Sequence, residues 1–140
     1  MTLTPPASSG RRHAGRLLLG SFLVLAGAGH LTFARRGFQA QVPDGLPVSK
    51  DTTVLASGVV EIALGAALLA PLAPPTRRAL GWGLAAFFVA VFPGNISQFV
   101  HHRSALGMNT DTKRAARLPF QPVLVLWALW STGAWPKERR

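Results

Sequence analysis

The chemistry available to this chain sits in a few polar residues embedded in apolar sequence. Glu61 is the most informative, because the run from Val54 to Ala73 carries no other ionisable side chain. A charged side chain near the middle of a membrane-crossing helix costs about 2.5 to 3.5 kcal/mol on insertion scales, so it needs a partner or a proton. Two readings follow. In one, Glu61 is protonated or hydrogen-bonded and locks helices together; in the other it carries protons or binds a polar head group in a cavity between helices. Ser57, Gly58 and Gly65 share its helical face and form a small-residue strip of the kind that packs closely on another helix.

His30 is the natural partner for Glu61. It lies late in the first apolar run, where Gly20 and Gly27 allow close approach, and antiparallel neighbours would place the two residues within about one and a half turns of each other. Asn95, Gln98 and His102 follow at spacings of three and four and so share one face. Pro93 just upstream removes a backbone hydrogen bond and predicts a kink. Gln121 and Thr132 make a weaker polar line in the last run. Haem ligation would need paired histidines on facing helices; His30 with His101 or His102 is the available set, and no other feature supports haem. Two-histidine metal spacing is absent, so no metal site is expected.

The elements that must position these residues are four apolar runs, each long enough for the roughly 18 residues that a membrane-crossing helix needs. They are Leu17 to Ala34, Val54 to Ala73, Ala79 to Val100, and Leu118 to Trp135, preceded by a basic segment 1–16 and followed by a basic tail 136–140. The expected fold class is all-α, a four-transmembrane-helix bundle of up-down topology. The stretch from Arg103 to Arg117 has no apolar periodicity and is expected to be a solvated loop.

Composition agrees. The 140 residues carry a formal charge of +10, yet 49% are hydrophobic and only 14% charged, below the roughly 25% usual for soluble domains. The basic residues gather near the ends of the runs, where they border anionic head groups, which points to the lipid bilayer and away from nucleic acid. With no cysteine, there is no disulfide, thiolate metal site or thiol relay. With both termini cytoplasmic, Arg11, Arg12, Arg16, Arg77, Arg78, Lys137, Arg139 and Arg140 lie inside; Arg35, Arg36, Lys50, Arg103, Lys113, Arg114 and Arg117 lie outside. That balance does not set orientation. The aromatic residues fit an even number of spans, and both termini are expected inside.

Several ordered segments resemble the DoxX family of small bacterial membrane proteins: Ala28-Gly29-His30-Leu31, Val42-Pro43-Asp44-Gly45-Leu46-Pro47, Ser57-Gly58-Val59-Val60-Glu61-Ile62, Val91-Phe92-Pro93-Gly94-Asn95-Ile96, and Arg117-Leu118-Pro119-Phe120-Gln121. Gly94 stands where that resemblance would place Ala. The resemblance implies a four-helix bundle in the bacterial inner membrane. It also implies links to thiosulfate:quinone oxidoreduction, to oxidative-stress complexes and, more distantly, to receptor assembly. Thiol or disulfide chemistry is excluded by the absence of cysteine.

The expected function is that of a non-catalytic or redox-accessory membrane subunit. Its intramembrane polar site, His30, Glu61, Asn95, Gln98 and Gln121, would open towards the 35–50 loop and take a quinone, a lipid or a partner protein. Gly58, Gly65 and Pro93 are expected to serve structure. The alternatives are a quinone-linked oxidoreductase subunit and an assembly chaperone. A membrane or redox partner and a homo-oligomer built on the small-residue faces are both compatible with the sequence.

Overall fold

The computed structural model describes residues 7–104 and 108–136; most of the expected basic tail, Lys137, Arg139 and Arg140 included, lies outside that range. Within it, every regular element is a helix. Helix α1 spans Ala7–Leu31 and a short α2 spans Arg35–Gln39. Helix α3, Lys50–Leu69, begins four residues before its apolar run because Ser49 caps it, its side chain accepting a hydrogen bond from the Thr52 N–H. It stops where Ala70, held extended ahead of Pro71, cannot continue the helix.

Helix α4, Pro74–Val100, starts on two prolines, whose missing N–H groups cost nothing in a first turn, and runs unbroken through Pro93. Helix α5, Asp111–Arg117, lies in the stretch expected to be a solvated loop. Thr110 caps it by accepting from the Lys113 N–H. Arg114 is buried and donates to the carbonyl of Met108 at 3.2 Å and to Asp111 at 2.7 Å, so the segment is a folded part of the protein rather than a solvated strap.

Helix α6, Phe120–Ser131, has 12 residues and differs most from expectation. It is about 18 Å long, short of the roughly 30 Å of a hydrocarbon core. Its end is written into the chain. Gly133 takes φ 75°, the Ala134 N–H bonds the Leu129 carbonyl at 2.9 Å, and the Gly133 N–H bonds the Trp130 carbonyl at 3.2 Å, together closing the helix in a Schellman turn. Three helical stretches are long and apolar enough to cross a membrane: Gly10–Leu31, Lys50–Leu69 and Pro74–Val100. They make this a membrane protein by length and composition. Many large apolar side chains, among them Leu18, Leu25, Val59, Val89 and Val123, face outward, as a lipid-facing surface requires.

Glycines seat α3 on α1. A Cβ on Gly20 would lie 2.9 Å from the Gly65 carbonyl oxygen, and one on Gly27 would lie 2.7 Å from that of Gly58. The pairing of early with late residues makes the two helices antiparallel, with their backbones in direct contact. Arg16 fastens one end by donating to the carbonyls of Leu68 at 3.0 Å and Ala70 at 3.2 Å, which satisfies orphan acceptors at the end of α3. Helix α4 packs on α6, where Gly81 receives Thr132, and α6 also touches α1. A core of Leu19, Leu23, Leu68, Leu84, Phe88 and Ala128 fills the centre. Helices α3 and α4 are joined by the short link 70–73 but share little contact beyond it.

Candidate functional site

The close packing of α1 on α3 delivers two polar residues to one place. Gly58 lies against His30, and three residues further along α3 Glu61 brings Oε2 to 2.9 Å from His30 Nδ1. The same Nδ1 is 2.8 Å from the Ala26 carbonyl oxygen, which has no hydrogen to give. Both neighbours of Nδ1 are acceptors, so the ring nitrogen that faces them carries its proton and shares it between the Ala26 carbonyl and Glu61. Glu61 Oε2 is buried, and its one neighbouring donor among the described residues is this His30 N–H, which it shares with the Ala26 carbonyl. Phe38 of α2 stacks on the imidazole at 3.5 Å between centroids, with 10° between the planes, and holds the ring in orientation.

The second polar group lies across the interior. Gln121, near the start of α6, donates through Nε2 to the Phe88 carbonyl at 2.6 Å and accepts through Oε1 from Asn95 Nδ2 at 3.2 Å. Pro93 deprives the Val89 carbonyl of its usual partner, and Gln121 attaches to the neighbouring carbonyl in that weakened turn. Asn95 Oδ1 in turn accepts from Arg117 Nε at 3.0 Å. Each amide uses its oxygen and its nitrogen, so this network is consistent across three elements. Arg117 lies within electrostatic range of both Glu61 and His30.

These groups border a partly open cavity of about 1030 Å³. His30, Glu61, Arg117 and Gln121 line it, Asn95 stands behind the lining, and the remaining walls are mostly apolar. Phe38, Gln41, Val42 and Pro43 cover it from the side of the 35–50 segment. Gly94 makes that cover possible, because the Gln41 carbonyl occupies the place where a side chain at 94 would begin. Alanine, which the DoxX resemblance implies at this position, would collide with it.

Gln98 does not join the group. It is fully buried, but its Nε2 donates to the Arg103 carbonyl at 3.2 Å and so closes the end of α4 rather than lining the cavity. His101 and His102 are exposed, with His102 paired to Asp111 at 2.7 Å, and neither lines the cavity that holds His30. The histidine pair considered for haem is therefore not assembled. Among the described residues, no three His, Cys, Asp or Glu side chains gather as a metal set.

Several contributors escaped the sequence reading. Arg117 precedes Gln121 by four residues, a one-face spacing that could have revealed it. Phe38 left no comparable pattern. Arg103 anchors the cover by donating to the carbonyls of Ala40 at 3.3 Å and Val42 at 2.9 Å and to Asp44 at 2.6 Å. Lys50 and Arg103 together hold the Asp44 carboxyl below its usual range, chiefly through the hydrogen bond from Lys50.

Residues 19–132, which include every element of this site, match the family described as Domain of unknown function (DUF8561), and the chain belongs to that family. Among curated proteins and solved structures, none matches the chain.

Proposed function

We propose that this member of the DUF8561 family is a non-catalytic or redox-accessory subunit of the bacterial inner membrane that holds an amphiphile of the quinone class between its helices. In this reading α1, α3, α4 and α6 form a four-helix up-down bundle with cytoplasmic termini. The last crossing runs from Leu118 to Trp135, with α6 as its helical part, and the bilayer thins locally around the short helix. Kinship with DoxX proteins is part of the same proposal and rests on the segments around His30, Glu61, Asn95 and Gln121.

The observation that carries the reading is the buried Glu61 Oε2, whose one neighbouring donor, His30 Nδ1, is shared with the Ala26 carbonyl, at the polar end of an apolar cavity. A buried acceptor so thinly supplied with donors is costly unless a ligand hydroxyl, that of the reduced quinol form, supplies another. Arg117 spends only Nε on Asn95, which leaves the rest of its guanidinium as donors for a ligand oxygen. The formal charges of Glu61 and Arg117 offset each other, which suits a neutral head group better than an acidic or basic one. A cavity of about 1030 Å³ accommodates a ring together with several isoprenoid units.

Native mass spectrometry of the protein purified in mild detergent tests this reading. The expected result is a bound quinone that survives purification and is lost in Glu61→Gln, with the variant still folded and inserted. Retention of the same quinone by both Glu61→Gln and Arg117→Gln, or a phospholipid in its place, overturns the proposal.

A further inference from the structure

We infer that the ligand reaches this cavity sideways, out of the hydrocarbon of the bilayer, through the cleft between α3 and α4. The inference rests on the ligand-binding reading above and adds the route and the physical class: a solute dissolved in the membrane interior, not one delivered from water.

Both axial routes are obstructed, although Leu46, Val48 and Thr52 at the loop end are exposed and line the cavity too. Towards the α3–α4 link, the packed cluster of Leu19, Leu23, Leu68, Leu84, Phe88 and Ala128 fills the space between the helices. At the opposite end, the 38–43 segment lies over the cavity. Its Gln41 carbonyl is pressed into the hollow at Gly94, and Arg103 clamps it through the carbonyls of Ala40 and Val42. His30 stacked on Phe38 ties the same cover to α1.

The sides are not equivalent. Helix α3 is locked to α1 backbone to backbone through Gly20, Gly27, Gly58 and Gly65, and α4 is locked to α6 through Gly81 and the Asn95–Gln121 bond. No comparable seam joins α3 to α4 beyond their short link. Along this unlocked side, Ala56 and Val60 of α3 and Ala90 of α4 are exposed on the surface and line the cavity as well. All three are small or medium apolar side chains. Ala56 and Val60 lie about 9 and 15 Å along α3 from its first residue, at the depth of the hydrocarbon rather than of the head groups. Water gains nothing by entering such a mouth, whereas an isoprenoid or acyl chain passes through it without leaving an apolar medium.

The natural absence of cysteine makes a clean test available. Ala56→Cys and Ala90→Cys place a single thiol at the mouth, and Val89→Cys places one on an exposed part of α4 that does not line the cavity. Each folded variant, in nanodiscs, is capped with a bulky methanethiosulfonate reagent and mixed with vesicles carrying a photoreactive azidoquinone. Labelling of peptides covering 87–94 is then followed over time. Capping Ala56→Cys or Ala90→Cys should slow labelling at least tenfold, reduction of the cap should restore it, and capping Val89→Cys should leave it unchanged. Undiminished labelling of the capped mouth variants overturns the lateral route alone. Absence of cavity labelling in the uncapped protein overturns the binding reading and the route with it.

Discussion

Gly58 and His30 are packed so closely that a methyl group on Gly58 would stand 2.7 Å from the His30 Cβ. That contact sets the distance between α1 and α3, and through it the 2.9 Å approach of Glu61 to the imidazole. Gly58→Ala must therefore push the helices apart at the site itself. The expected cost is about 1–3 kcal/mol, the range for overpacking a well-filled interior, read as a lower unfolding midpoint in detergent. Gly83, with nothing within 4 Å of where its Cβ would be, is the control. Gly83→Ala should be neutral or slightly stabilising, since alanine is the better helix former. Equal destabilisation by the two substitutions would contradict the packing account.

Gln121 satisfies two buried groups at once, the Phe88 carbonyl and the Asn95 amide. Gln121→Leu keeps roughly the same bulk but strands the Asn95 amide nitrogen, at about 1–3 kcal/mol, and removes the additional hydrogen bond to the Phe88 carbonyl. Gln121→Glu can still accept from Asn95 but, as a carboxylate, cannot donate to Phe88. Thermal unfolding in detergent should rank the wild type above Gln121→Glu and Gln121→Leu. A wild-type midpoint in either variant would show that the network carries no stability.

The exposed ion pairs at the loop end predict a dependence on pH. Hydrogen bonds from Lys50 and Arg103, with their charges, hold Asp44 below the usual carboxylate range, and hydrogen bonds from His102 and Arg114 do the same for Asp111. A depressed folded-state value means that the stabilisation is complete above the unfolded value of about 3.9 and disappears as pH falls through the lower folded values. Hydrogen exchange at residues 40–44, with labelling times corrected for the intrinsic rate, should therefore speed up on acidification below about pH 4. Asp44→Asn should already show faster exchange at neutral pH and a smaller acid response. An acid response in the variant as large as that of the wild type would place the titrating group elsewhere.

Much of the architecture was readable because membrane-scale apolar runs admit few alternatives. The runs containing His30, Glu61 and Pro93 became α1, α3 and α4, although Ser49 and Pro74 moved the starts of α3 and α4 four and five residues earlier than apolar content suggested. The cap at Ser49, with Asp51 in the first turn, was a readable start signal. The fourth run was only partly readable because hydropathy does not register backbone conformation. Leu118 to Trp135 is apolar enough to span, but Gly133 turns the chain and ends the helix at Ser131. Helix α5 was hidden for the opposite reason: its stability comes from the Thr110 cap and from Arg114 reaching loop carbonyls, not from an apolar face.

The sequence by itself determined that the chain is helical and membrane-seeking, that it lacks thiol chemistry, and that Glu61 has to be reconciled with apolar surroundings, because composition and the energetic cost of a buried carboxylate fix those points in any arrangement. Only the tertiary structure decided which polar residues meet. The register of Gly27 on Gly58 selects His30 for Glu61, the turn weakened by Pro93 selects Gln121, and the loop at the end of α4 takes Gln98 away from the cavity. One-dimensional spacing reports the face a residue occupies, but the partner on that face is set by how closely two backbones approach, and here glycines far apart in the chain set that distance.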